Sequence, residues 1–125
     1  MSPVETTAHY HDPQDKRFQR NLREGAPGAF SAFVAFDEAA LRGQDKVIPR
    51  KYTELIALSV ALTTQCAYCI EAHSVAAADE GATEAEIAEA VFITAALRAG
   101  GGMAHGLLAM KFHQAATRED ATTTA

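Results

Sequence analysis

Apolar residues in this chain recur at steps of three and four, and nowhere do they alternate singly with polar ones over a strand's length. Phe30, Phe33, Val34 and Leu41 fall on one face of a helix that Pro27 opens and Arg42-Gly43 closes. Pro49 then starts a helix whose Tyr52, Leu55, Ile56, Ser59, Val60 and Leu62 make a broad apolar side, weakening at Thr63-Thr64-Gln65. From about Cys66 an alanine-rich stretch runs to Asp79-Glu80, with Gly81 as terminator. Thr83-Glu84-Ala85-Glu86 has the form of a capping box and leads a helix carrying Ile87, Ala90, Val91, Thr94 and Leu97 to about Arg98. Gly100-Gly101-Gly102 reads as a break, after which Met103 to about Ala116 makes a last helix. Upstream, Asp12-Pro13 supplies an N-cap and a first-turn proline for a short helix ending near Glu24, with Gly25 as its breaker.

The prediction is therefore all-α, about six helices, with no internal repeat. Residues 1–12 are expected to be a flexible arm, 13–118 one domain, and 119–125 a flexible tail. Several helices are short and alanine-rich, with apolar faces wider than one partner covers, which predicts a homo-oligomer.

Composition removes some classes of function. At 125 residues and 48% hydrophobic, the chain can bury a core. The net charge is −5, and the basic residues are scattered except for Lys16 to Arg23, so no basic stripe for nucleic acid is present. No apolar run approaches the length needed to cross a bilayer, so no membrane partner is expected. Residues 1–15 lack the apolar segment of a signal peptide, and the expected compartment is the cytoplasm.

Both cysteines lie in Cys66-Ala67-Tyr68-Cys69, and His73 follows four residues later. On a helix, positions i, i+3 and i+7 share one face. A helix starting near Cys66 aims its unpaired N–H groups at the sulfurs and favours thiolate, and His73 is placed to accept the Cys69 proton. A bridge closing so short a loop constrains the unfolded chain little, so reversible dithiol chemistry explains the pair better than stability does. Glu54, with eleven residues between it and Cys66, faces His73 if the chain folds back after Gln65; the alternative is a solvated carboxylate beside Lys51.

Two other readings of these residues are open. Cys66, Cys69, His73 and Glu54 are zinc ligands by type, although no second cysteine pair exists to complete a structural site. Alternatively the thiols are small buried hydrophobes in a non-catalytic oligomeric module. His9 and His11 are assigned to the loose arm. His105 and His113 are too far apart for an i, i+4 ligand pair, and His105 is of interest only if the triple glycine brings its helix toward the thiols.

Glu54-x11-Cys66-x2-Cys69-x3-His73, with Leu55-Ile56-Ala57-Leu58-Ser59-Val60 before it, resembles the signature of the alkylhydroperoxidase D-like branch of the carboxymuconolactone decarboxylase superfamily. The likeness spans about residues 27–115. It implies an all-α fold assembling as a trimer or hexamer, and thiol-dependent reduction of hydroperoxides without haem, flavin or metal. By the same resemblance Cys69 is the peroxidatic cysteine, Cys66 the resolving one, and Glu54 and His73 the proton relay, with a lipoyl-bearing protein or small dithiol as reductant. Other activities the superfamily suggests are thiol-disulfide exchange or a decarboxylase-like reaction on another substrate; the decarboxylase branch usually lacks the cysteine pair, which counts against lactone decarboxylation. This chain departs from the peroxidase pattern at one position. Well-studied members carry a second histidine just before the second cysteine, and here that position is Tyr68, an accessory candidate and a poor proton acceptor at neutral pH.

Overall fold

A computed structural model of the chain describes residues 11–123. Residues 1–10 of the expected arm and 124–125 of the expected tail lie outside the described residues. The described residues form a 3-10 turn, Pro13–Phe18, and five α-helices: α1 Gln19–Gly25, α2 Pro27–Arg42, α3 Arg50–Thr64, α4 Ala67–Asp79 and α5 Glu84–Thr123. No strand occurs among them, in agreement with the all-α prediction.

The predicted ends are largely where the sequence puts them. Asp12 caps the 3-10 turn in a reciprocal capping box with Asp15, and Pro13 follows it. Pro27 opens α2. Gly81 adopts φ 86°, a left-handed conformation that glycine enters without steric cost, and ends the α4 region. Thr83 and Glu86 exchange side-chain-to-backbone hydrogen bonds of 3.0 and 3.1 Å at the start of α5.

Two expectations are corrected. Gly100-Gly101-Gly102 does not break the chain, and α5 runs through it as one 40-residue helix. Each glycine costs about 1 kcal/mol relative to alanine, but strong helix formers flank the three, and a helix already nucleated propagates at one hydrogen bond per residue. The helix also continues beyond Ala116 into the segment predicted as a flexible tail. A consequence is that α5 between Glu84 and Arg118 is long and apolar enough to cross a membrane by length and composition, contrary to the sequence expectation, because two short apolar stretches have become one.

α3 packs chiefly on α4 and α5, while α1 packs on α2. The core is small: Leu58 and Ala61 of α3, Ala77 of α4 and Ala90 of α5 are the buried apolar side chains among the described residues. Thr94 is buried with them and satisfies its hydroxyl on the Ala90 carbonyl at 2.9 Å. Two polar ties hold α5 against α3: Lys51 Nζ to Glu86 Oε2 at 3.0 Å, and Arg98 Nη1 to the Thr63 carbonyl at 2.7 Å. At 1.5 Å per residue α5 is about 60 Å long, and from Gly101 to Arg118 every residue but Gly106 is exposed. Phe92, Leu97, Met103 and Leu107 are each 69–76% exposed.

Candidate functional site

The site is built at the turn between α3 and α4. Gln65 takes φ 56°, the only positive φ at a non-glycine among the described residues. The N–H groups of Gln65 and Cys66 both donate to the Ala61 carbonyl, which ends α3 and reverses the chain. Cys66 is then the N-cap of α4, its backbone extended, and its sulfur accepts the Cys69 N–H at 3.3 Å. Cys69 is the third residue of the helix, in the first turn, where the unpaired N–H groups favour negative charge on sulfur. Cys66 and Cys69 are joined by a disulfide with Cα atoms 5.3 Å apart.

Because α4 returns along α3, a residue early in α3 meets one in the middle of α4. His73 Nδ1 lies 2.6 Å from Glu54 Oε2, and Arg50 Nε donates to Glu54 Oε1 at 2.7 Å. The Glu54 side chain is completely buried, so the solvated alternative beside Lys51 does not hold; Lys51 reaches Glu86 instead. Burial is the largest single influence on the Glu54 carboxyl and opposes its ionisation. The hydrogen bonds from His73 and Arg50, with the charges behind them, outweigh it and hold the carboxyl below its ordinary value. An ionised Glu54 is acceptor-only, so Nδ1 of His73 donates to it, which leaves Nε2 as the ring nitrogen not used by Glu54.

Cys69 and His73 both line an open cleft of about 370 Å³ between α2, the 43–49 loop and α3. Its walls are mainly aliphatic, from Leu41, Ile48, Ile56 and Val60. Thr53, 6% exposed, also lines the cleft, and its hydroxyl has no hydrogen-bond partner among the described residues.

Tyr68 stands between the two cysteines and turns away to another task. Its hydroxyl donates to Asp15 Oδ2 at 2.8 Å, and the His11 ring meets its ring in a T-shaped contact at a centroid distance of 4.5 Å. His11 Nε2 is also 2.9 Å from Glu71 Oε2. His11 was expected in a loose arm and is instead partly buried against α4, while Asp12, the last residue of that expected arm, caps the 3-10 turn as Asp12-Pro13 predicts. The reason is that Glu71 and Tyr68, one turn apart on α4, offer the imidazole a carboxylate and a T-shaped ring contact together.

His105 and His113 are exposed on the projecting part of α5, and neither lines the cleft, because the unbroken helix carries them away from α3. Among the described residues no group of three or more His, Cys, Asp or Glu side chains is arranged to hold a metal ion. Arg50 was not singled out from the sequence, although its i, i+4 spacing to Glu54 was readable. The Asp15–Tyr68 and His11–Glu71 contacts span 53 and 60 residues, and no local pattern announces them.

Comparison with known proteins agrees with this architecture. The profile of the carboxymuconolactone decarboxylase family matches residues 27–112. An uncharacterized protein, number 4 in the cox locus of Paracoccus denitrificans, is 40% identical over 74 residues, covering 59% of this chain and 65% of the relative. An uncharacterized protein of Haemophilus influenzae is 39% identical over 64 residues, covering 51% and 55% respectively. The matched stretches thus span less than two thirds of either relative. Among solved structures, apo-lpg0406 of Legionella pneumophila, described as a carboxymuconolactone decarboxylase family protein, superposes with a TM-score of 0.59 at 28% identity, over 67% of this chain and 74% of the other. The family profile, the all-helical fold and the Glu54/Cys66/Cys69/His73 arrangement lead to one assignment: this chain belongs to the carboxymuconolactone decarboxylase family, as an alkylhydroperoxidase D-like member.

Proposed function

We propose that this protein is a thiol-dependent peroxidase that reduces hydroperoxides through a Cys66–Cys69 dithiol/disulfide cycle. The observation that carries the reading is that Cys69 and His73 face one cleft while Glu54 holds His73 by its other nitrogen. In the reduced protein, His73 Nε2 takes the Cys69 proton, directly or through a water. The thiolate attacks the terminal oxygen of R–O–O–H and the O–O bond breaks. Cys69 becomes a sulfenic acid, and the departing alkoxide takes the proton from His73 to leave as R–OH. The Cys66 thiolate then attacks the Cys69 sulfur, the S–S bond forms, and hydroxide leaves as water with the Cys66 proton. An external dithiol of small-molecule or lipoyl type reduces the disulfide by exchange and is itself oxidised. No cofactor enters any step. Since the Tyr68 hydroxyl is engaged by Asp15, His73 is the base assigned to the relay.

The same reading includes a homo-oligomer, a trimer or hexamer. Four buried apolar side chains among the described residues make a small core, and a second copy covering the apolar face of α5 explains Phe92, Leu97 and Met103 better than exposure does. The cytoplasm is the compartment proposed for it, where reducing dithiols are at hand.

The test is a turnover assay with several hydroperoxides and several dithiol reductants, wild type beside Cys69→Ser. Peroxide-dependent consumption of dithiol that Cys69→Ser abolishes supports the reading. Thiols that stay inert to every hydroperoxide refute it, and thiol-disulfide exchange without peroxide consumption would make the protein an oxidoreductase of another kind.

A further inference from the structure

The chain is acidic overall, yet among the described residues that wall the hollow beside Cys66–Cys69 there is no acidic side chain. A second, smaller hollow adjoins the cleft and shares Leu41, Lys46, Ile48 and Thr53 with it. Its walls add Arg42 and Arg50 and, among the described residues, again hold no carboxylate. The two hollows together form an aliphatic trough that begins at Cys69 and His73 and ends among three cations.

The three cations differ in what already holds them. Arg42 is within ion-pair distance of Asp37 and Glu38, at 3.8 and 3.5 Å. Arg50 is committed to the buried Glu54. Lys46 Nζ donates to the Ala40 carbonyl at 2.6 Å in the last turn of α2, and among the described residues it makes no ion pair. This bond fixes the ammonium at the rim where the two hollows meet and uses one of its three donors. The turn that sets Lys46 there is tight: a Cβ on Gly43 would stand 2.7 Å from the Ala39 carbonyl oxygen.

An aliphatic surface favours a hydrocarbon chain, and an ammonium with donors to spare favours a carboxylate at its end. We propose that the trough binds anionic amphiphiles and that Lys46 is the specificity residue, so that the preferred substrate is a fatty-acid hydroperoxide whose chain lies along Leu41, Ile48 and Ile56 and whose carboxylate meets Lys46. This deepens the peroxidase reading and rests on it for the substrate role, whereas the binding of a carboxylate amphiphile does not depend on turnover. The cleft volume is at the small end for ligand pockets, which points to a medium-length chain.

The experiment has two arms on the full chain. In the first, binding of decanoate and of 1-decanol is measured by calorimetry for wild type, Lys46→Gln and Lys46→Arg. Lys46→Gln is expected to weaken decanoate about fivefold, the size of a partly exposed ion pair, to leave decanol within about twofold, and Lys46→Arg is expected to restore decanoate binding. In the second, kcat/KM is compared for a medium-chain fatty-acid hydroperoxide, its methyl ester and tert-butyl hydroperoxide. Wild type is expected to prefer the acid to the ester, and Lys46→Gln to remove that preference through KM while leaving tert-butyl hydroperoxide unchanged. Equal effects on acid and ester, or decanoate binding indifferent to Lys46, would overturn the inference while the peroxidase reading stands. Lys46-dependent decanoate binding without turnover of any hydroperoxide would support the anionic site and refute the peroxidase reading.

Discussion

His73 and Glu54 are nineteen residues apart in the chain, and Nδ1 of one lies 2.6 Å from Oε2 of the other, inside a carboxylate site with no solvent exposure. Burying a carboxylate is tolerable only when it is paired and hydrogen-bonded. Here both oxygens are satisfied, one by His73 and one by Arg50. The pair therefore fixes both the tautomer and the direction of the imidazole that shares the cleft with Cys69.

Removing the carboxylate's charge should slow thiol oxidation. Glu54→Gln and His73→Gln are each expected to reduce the rate of peroxide-driven Cys69 oxidation about a hundredfold, within the usual range for a general base. Stopped-flow pH–rate profiles check this, and unchanged profiles in both variants would remove the relay.

The two cysteines should behave differently under peroxide. Cys66→Ser is expected to accumulate a sulfenic acid at Cys69, trapped and located by mass spectrometry, whereas Cys69→Ser forms neither sulfenic acid nor disulfide. The opposite pattern would exchange the two roles.

The fold should lose stability on the acid side. Glu54 is held below its ordinary value in the folded chain, and so are Asp15, chiefly by Tyr68, and Glu86, chiefly by the Thr83 backbone N–H. Above an unfolded carboxyl pKa of about 4.3, both states are ionised and the contribution is complete. Below it the unfolded chain takes up protons first, and stability falls until the folded carboxyls titrate. Denaturation midpoints measured against pH should be level near neutrality and decline below that value, with a shallower decline in Glu54→Gln.

The small core should be sensitive to truncation. Leu58 is 2% exposed at the centre of α3, and Leu58→Ala is expected to destabilise the fold by about 3 kcal/mol. Chemical denaturation of the two proteins at equal concentration measures it, since association would add to apparent stability.

The exposed face of α5 should be an interface. Phe92→Glu with Leu97→Glu is expected to lower the mass of the assembly measured by light scattering. Wild type that is monomeric over the whole concentration range would contradict the oligomer, and partition into lipid vesicles would redirect the apolar length of α5 to a membrane.

Much of this was readable locally. Asp12-Pro13, Pro27, Gly81 and the Thr83/Glu86 box announce helix ends because capping acts within one turn, between residues three or four apart. The four-residue spacing of Cys69 and His73 places that pair on one helix face for the same reason, whereas Cys66 stands outside the helix as its N-cap. Misjudgement arose where local propensity met a competing long-range or cooperative effect. Three glycines look like a break residue by residue, yet the helix through them is continuous. His11 looks like part of a free arm, yet Glu71 and Tyr68 hold it.

The amino-acid sequence alone determined the all-α class, the family likeness and the four residues of the candidate site, since all of these depend on identity and spacing along helices. The tertiary structure decided what those residues face. The left-handed turn at Gln65 folds α4 back on α3, so Glu54 is buried and shared between Arg50 and His73. The docking of residues 11–15 engages Tyr68, and the 43–49 loop brings Lys46 to the rim of the cleft. Each of these is a meeting of side chains from different elements, whose free energy depends on burial and on the geometry of partners that spacing within a single helix does not encode.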